Sequence, residues 1–345
     1  MKEYLLFILI IIIILLFNTT IVEGFNNKKN NKIQSNITLE EFNKNFNINI
    51  KEVPNCTALI GFDVYSTKKF HIYCDKPHKY LSCTLKYWIK NIHSKLNREK
   101  YYFILNYSDG FVHDEVKDYK TYISSNTNNP IPHIFAFCRR WNDEKTFLLP
   151  DPYFTCDKLH RKNFKKIDEA NLKWSDKINL CIWRGSIKNG LLLNFFNSDN
   201  KYNLNQRKYF VKLYNNKYFK NVDYENKFTT VSHQIKYKYI LDIDGWASTW
   251  DATLWKLYSG SVLLKVDSTW NQWYYPDLIV WKHYVPVNND FSNLNEIIDW
   301  CNNNESACLQ IIENAKNFVK KTFDLDYVNN AVIKKMNNYL LITNQ

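Results

Sequence analysis

The sequence predicts an α/β fold with parallel sheets, arranged as two domains behind an N-terminal hydrophobic segment. Short apolar runs rich in β-branched and aromatic residues recur along the chain: FHIYC, YYFILNY, HIFAFC, INLCIWRG, KYKYILDI and GSVLLKV. Several are apolar on consecutive residues instead of alternating, the pattern of strands buried on both faces. Segments with helical spacing lie between them, such as SCTLKYWIKNIHSKLNREK and DATLWKLYS, as expected where crossover helices join parallel strands. A chain of 345 residues, 45% of them hydrophobic, is long enough to bury two cores.

Residues 1–23 open with MKEYLLFILIIIIILLF, an unbroken apolar run from Tyr4 to Phe17 after Lys2. It reads as a signal anchor or a cleaved signal peptide and is set apart from the fold. Either reading places the body in the secretory pathway, in the lumen of the endoplasmic reticulum or Golgi, as a single-pass type II protein or a lumenal one. Residues 24–40, rich in Asn, Lys and Ser, read as a flexible stem. Folded structure is expected from TLEEFNKNF, where Thr38 and Glu41 have capping-box spacing. An N-terminal domain is assigned to 41–165 and a C-terminal domain to 166–318. The segment NLNEIIDWCNNNESACLQIIENAKNFVKKTF reads as two helices. Residues 319–345 are assigned to a helix returning to the N-terminal domain.

The net charge of +12 favours anionic ligands, but the lysines are scattered through Asn-rich loops. No zinc-finger spacing or nucleic-acid module occurs, so no nucleic-acid partner is expected. Aromatic residues make up 17% of the chain, enough to fill a core and also line a groove for sugars or bases. Eight cysteines, at 56, 74, 83, 138, 156, 181, 301 and 308, include no CxxC pair. A structural zinc site is therefore unsupported, and disulfides are permitted if the chain is exported. Five Asn-x-Ser/Thr sites, at Asn18, Asn36, Asn55, Asn106 and Asn304, are what an Asn-rich composition produces by chance.

In an open α/β sheet, ligands bind beyond the carboxyl ends of the strands, so polar residues at those ends matter most. Three places qualify. After YYFILNY, Asp109 and Gly110 form a strand tip; a carboxylate with a pKa of about 3.9 is ionised at neutral pH and can act as a base. The alternative is an ordinary Asp-Gly turn. After INLCIWRG come Arg184, Gly185 and Ser186: a guanidinium for a phosphate or carboxylate, a glycine for close backbone approach, and a hydroxyl. The alternative is a turn with an ion-paired arginine. After KYKYILDI, Asp244 and Gly245 break a buried strand. Asp242 and Asp244 have the spacing of a DxD metal motif, but no accompanying His or carboxylate cluster favours a metal. A helix starting after Gly245 would aim its amides at an anion placed there.

WRGS (183–186), SHQIKYKYILDIDG (232–245), SGSVLLKV (259–266) and WNQWYYPDLIVWKHYVPVNNDFSNLNEIIDW (270–300), in this order, resemble the family 90 glycosyltransferases. That family includes protein O-glucosyltransferases of the Rumi type, fungal capsule-associated proteins and bacterial lipopolysaccharide-modifying enzymes. The resemblance runs roughly from Tyr101 to Tyr339 and is clearest from Trp174 onward. It implies a GT-B-like fold of two facing Rossmann-like halves, with the nucleotide sugar, a UDP-sugar, mainly on the C-terminal half and no metal or other cofactor. It also implies transfer with inversion to a hydroxyl of a protein, a glycan or a lipid-linked glycan. Asn106-Tyr107-Ser108-Asp109 matches the family's Asn-x-x-Asp, which gives Asp109 the base role. Arg184, Gly185 and Ser186 match the donor-contacting Arg-Gly-Ser, and His233 matches a histidine before the aromatic strand. By the same resemblance Asp244, Gly245, Trp246, Ser248 and Lys256 surround the donor. Two family arginines are missing, one in GWASTWDATLWK and one soon after WRGS. Donor phosphates then fall to Arg184, Lys256, backbone amides or a residue the sequence does not identify. The missing arginines also motivate a second expectation, a catalytically inactive glycan- or nucleotide-binding protein on the same fold.

Overall fold

The computed structural model describes residues 37–46, 50, 57–63, 69–74, 79–96, 100–107, 134–144, 146–155, 159–187, 192–194, 203–245 and 247–342. The N-terminal apolar run, most of the stem, Asp109 with Gly110, and Trp246 lie outside the described residues. Among the described residues, no helix is long and apolar enough to cross a membrane. The chain divides into two compact units. The first comprises Met1–Ala136, Asp143–Phe147 and Asn329–Gln345, and the second comprises Phe137–Asn142 and Leu148–Val328.

In the first unit, α1 (Leu39–Phe46) starts on the capping box: the Thr38 amide donates to Glu41 Oε2 at 2.7 Å and the Glu41 amide to Thr38 Oγ1 at 3.1 Å. Phe42 and Phe46 on its buried face pack against Leu59 and Ile104. The sheet joins β1 (Thr57–Asp63), β2 (Lys69–Cys74), β3 (Lys100–Asn106), β4 (Ile134–Ala136) and β6 (Thr146–Leu148) in the order β2-β1-β3-β4-β6. Strand β1 is antiparallel to both β2 and β3, and β3 is parallel to β4. The expectation of a parallel sheet fails here. A parallel pair needs a crossover of about a dozen residues or more, and residues 64–68 between β1 and β2 are too few. Helix α2 (Lys79–Asn91) lies between β2 and β3. Its Tyr87 hydroxyl donates to Asn329 Oδ1 at 2.5 Å and Trp88 Nε1 to Met336 Sδ at 3.1 Å, within the same unit.

The run HIFAFC, expected as one strand, is two. The chain bends at Phe137, and β5 (Cys138–Arg140) pairs antiparallel with β13 (Trp270–Gln272) in the second unit. Residues 134–138 are all buried, so no polar position marks the bend. The boundary placed at residue 165 falls inside a helix of the second unit, α4 (Leu159–Ala170), whose Ile167 packs against Ile182 and Ile240.

The second unit carries a sheet of β7 (Ile178–Arg184), β10 (Val222–Glu225), β11 (Tyr237–Asp242), β12 (Val262–Val266) and β14 (Val285–Val287), paired in parallel throughout. Its order, β10-β7-β11-β12-β14, is 2-1-3-4-5 along this unit's chain. Successive side chains along the strands point to opposite faces of the sheet, and both faces are covered. Cys181, Trp183, Tyr239, Leu241, Leu264 and Val266 face one layer, together with Phe210, Ile298 and Ile311 from helices. Ile182 and Ile240 face the other with Trp255, and Leu263 lies with Leu254 and Val319. The main helices are α5 (Gln206–Asn215), α7 (Asp251–Tyr258), α8 (Leu294–Asn303) and α9 (Glu305–Thr322). The last two are the pair expected from the 3.6-residue period. Gly260, after the end of α7, takes φ +70°, a left-handed conformation that a residue with a Cβ adopts only at a cost.

Candidate functional site

In a 2-1-3-4-5 parallel sheet, helices leave the first and third strands on opposite sides, and a crevice opens between their carboxyl ends. Those strands here are β7 and β11, which end at Arg184 and Asp242. Two of the three sequence-selected places therefore fall at one point: Gly185-Ser186 beyond β7, and Asp244-Gly245 beyond β11. Gly185 is required by packing, because a Cβ there would come 2.9 Å from Trp183 Cζ2. Ser186 is exposed.

Arg207, the second residue of α5, ties these two loops together. Its Nη1 donates to the Ser186 carbonyl at 3.1 Å, Nη2 to the Ile243 carbonyl at 2.9 Å and Nε to the Asp244 carbonyl at 2.7 Å. Its guanidinium carbon lies 5.7 Å from the centre of the Trp183 ring. Burial lowers the Arg207 pKa, and the nearby carboxylates of Asp244 and Asp242 oppose that shift. An arginine remains charged at neutral pH, so the crevice has a fixed positive charge behind both loops.

Two expected donor cations are engaged elsewhere. Arg184 turns to β10: Nη2 meets Asp223 Oδ1 at 2.9 Å and Nη1 donates to the Asp223 carbonyl at 2.8 Å. The Tyr237 hydroxyl donates to Asp223 Oδ2. Burial acts to raise the Asp223 pKa, but the hydrogen bonds from Tyr237 and Arg184 prevail and lower it. Lys256 is buried, with Nζ 2.5 Å from Asp242 Oδ1, and Lys265 Nζ lies 3.5 Å from Asp242 Oδ2. The hydroxyls of Thr249 and Thr253 also donate to Asp242 Oδ2, at 3.0 and 2.8 Å. Burial alone would raise the Asp242 pKa; the two ammonium groups outweigh it and hold the carboxyl well below the usual range. Arg184 and Lys256, expected to face donor phosphates, are thus each paired with a carboxylate here. Each neutralises a carboxylate, because an ion left unpaired in a dry interior costs several kcal/mol.

Asp244 keeps its place at the strand end. Its Oδ2 accepts from Ser268 Oγ, while Oδ1 is buried with no hydrogen-bond partner among the described residues. Burial raises its pKa. The Gly245 amide donates to the Ala247 carbonyl at 2.9 Å, closing a tight turn. No helix follows that turn directly: α7 starts at Asp251, so the expectation of helix-start amides next to Gly245 fails. Thr249, drawn in by Asp242, holds the intervening loop inward. Ser248 is buried, accepts from Gln272 Nε2 at 2.6 Å and lies in a core network. His233 closes α6 (Val231–Gln234), with its ring 5.8 Å from Tyr237 and Nδ1 buried without a hydrogen-bond partner among the described residues. No group of three or more His, Cys, Asp or Glu residues among those described could hold a metal ion.

Residues 111–343, about two thirds of the chain, match the sequence profile of glycosyl transferase family 90. The chain belongs to glycosyl transferase family 90. It is 34% identical over 150 residues to uncharacterized protein 179R of Invertebrate iridescent virus 6, covering 39% of this chain and 12% of that one. It is 31% identical over 91 residues to human protein O-glucosyltransferase 1, covering 26% of this chain and 23% of the relative. With protein O-glucosyltransferase 2 of Danio rerio the identity is 28% over 207 residues, 56% of this chain and 40% of the relative. The chain thus spans less than half the length of these relatives.

For a family 90 protein, the residue that sequence reasoning missed is Arg207. It lies 21 residues beyond Ser186, in no recognisable motif. The only sequence signal is a lone arginine opening a helix among lysines, in NQRKYFVKLY.

Proposed function

We propose that this family 90 member is an inverting, metal-independent glycosyltransferase. It moves a sugar, glucose or xylose, from a nucleoside diphosphate sugar, a UDP-sugar, to a hydroxyl on a protein or glycan, including a lipid-linked glycan. The observation that carries this reading is the switch point between β7 and β11, where Arg207 holds Ser186 and Asp244 by their backbone carbonyls. A diphosphate leaving group gains negative charge as the glycosidic bond breaks, and a preorganised guanidinium next to it stabilises that charge without reorganising. We further propose Asp109 as the base that takes the acceptor hydroxyl's proton as the oxygen attacks the anomeric carbon. The N-terminal apolar run, as an anchor or a cleaved signal peptide, then directs the chain to the secretory pathway.

One observation favours a second reading, a nucleotide- or glycan-binding protein without transfer: Arg184 and Lys256 are both spent on carboxylates. Incubating the protein with a panel of nucleotide sugars, with and without hydroxyl acceptors, separates the two. Release of free nucleoside diphosphate is expected with one donor. A thermal shift with a donor but no release supports the binding protein, and neither response with any donor refutes both.

A further inference from the structure

Helices α8 and α9 meet at a sharp corner whose core holds two cysteines that the proposed transfer reaction does not use. Cys301 lies near the end of α8, and Cys308 lies in the first turns of α9. They are 1% and 0% exposed. The Cys308 thiol donates to the Cys301 carbonyl at 3.5 Å, which puts the two residues in contact across the corner. The corner is built to keep them together: the Asn304 amide reaches back to the Cys301 carbonyl at 3.4 Å, and the Cys308 amide to the Asn304 carbonyl at 3.0 Å. Asn302, in the last turn of α8, accepts from the Tyr239 hydroxyl at 2.7 Å. Tyr239 belongs to β11, the strand that leads to Asp242 and the Asp244-Gly245 turn. The corner is therefore tied to the central strand of the sheet.

We propose that Cys301 and Cys308 form an intramolecular disulfide when the chain folds in the presence of a thiol–disulfide carrier. A pair of side chains this close needs little backbone movement to bridge. The step is an ordinary double exchange. The Cys308 thiolate attacks one sulfur of the carrier's disulfide, which breaks that bond and forms a Cys308–carrier disulfide. The Cys301 thiolate then attacks Cys308 Sγ and expels the carrier's sulfur. Two electrons pass from the two cysteines to the carrier, which ends as a dithiol holding the two protons the cysteines gave up. Either cysteine can make the first attack, and the balance of bonds and electrons is the same. Since both sulfurs are buried in the folded chain, exchange precedes the docking of α9 on the sheet.

A third cysteine makes the assignment sharp. Cys181 of β7 is fully buried in the same core and is the competing partner. The test is to refold the full chain in a reduced and oxidised glutathione buffer, trap free thiols under denaturant, and digest with an endopeptidase that cuts after glutamate. Cleavage after Glu296, Glu305 and Glu313 puts Cys301 and Cys308 on separate peptides, 297–305 and 306–313. Those two peptides are expected joined by a reducible bond, with Cys181 alkylated. Addition of a reductant is expected to lower the thermal midpoint by about 5 °C. Cys301→Ala and Cys308→Ala are expected to abolish that response, and Cys181→Ala to retain it. Alkylation of both cysteines after refolding, or a link from either one to Cys181, overturns the proposal.

Discussion

The Nε of Arg207 donates to the backbone carbonyl of Asp244 at 2.7 Å, which fixes the loop beyond β11 from a helix that follows β7. Its remaining nitrogens hold the Ile243 and Ser186 carbonyls, so one side chain spans the switch point. Hydrogen bonds involving a charged group contribute roughly 1.5–3 kcal/mol each. Arg207→Ala is therefore expected to weaken nucleoside diphosphate binding at least tenfold, read by calorimetry. Arg207→Lys keeps the charge but cannot fork onto three carbonyls, and is expected to recover only part of that loss. Unchanged affinity in both variants would remove the crevice as the donor site.

Asp109→Asn tests the chemistry separately from donor binding. A general base contributes about 10²–10⁴-fold, so transfer is expected to fall by that factor while nucleotide affinity and thermal midpoint stay as they were. Wild-type transfer by the variant excludes Asp109 as the base.

Lys256→Met leaves the buried Asp242 carboxylate with Lys265 as its remaining cation, 3.5 Å away. Removing one member of a buried pair costs about 3–5 kcal/mol. Urea denaturation is expected to give a loss in the lower part of that range. Asp242→Asn combined with Lys256→Met is expected to be more destabilising than Lys256→Met alone, because the buried Lys265 then loses its ion-pair partner. A double variant as stable as Lys256→Met would show that Asp242 does not neutralise Lys265.

Asp251, at the start of α7, has its carboxyl pushed up to about 6 by burial, with Asp151 adding to the rise and His160 opposing it. The folded state thus holds this proton more tightly than the unfolded chain does. Stability from this group is fully present below about pH 4 and falls as pH rises through 6, by up to about 3 kcal/mol. Denaturation midpoints measured between pH 4 and 7 are expected to show that slope, and Asp251→Asn to flatten it. The same slope in the variant would assign the titration to another group.

Gly260 has open space around its missing Cβ, the nearest atom being Lys316 Nζ at 3.5 Å, so only its φ of +70° opposes a side chain. Gly260→Ala is expected to cost about 1–2 kcal/mol, and Gly260→Asn less, by thermal denaturation. Equal costs for the two would point to packing instead.

What the sequence determined by itself was local. Consecutive apolar residues marked β7, β11 and β12, because a strand buried on both faces leaves no position for a polar side chain. Thr38 and Glu41 marked the start of α1, because their bonds close within one turn. The period of Leu294, Ile297, Ile298 and Cys301, then Cys308, Ile311 and Ile312, marked two helices. Tertiary structure decided the strand order and the partner of each charge. Arg184 binds Asp223, 39 residues away, and Arg207 binds Asp244, 37 residues away. A cation in a dry interior goes to whichever carboxylate or carbonyl lacks neutralisation, and the order of strands in the sheet sets which group that is. The motif named Arg184 as the cation for the crevice; in the folded sheet Arg184 pairs with Asp223, and Arg207 is the cation that joins the Ser186 and Asp244 loops.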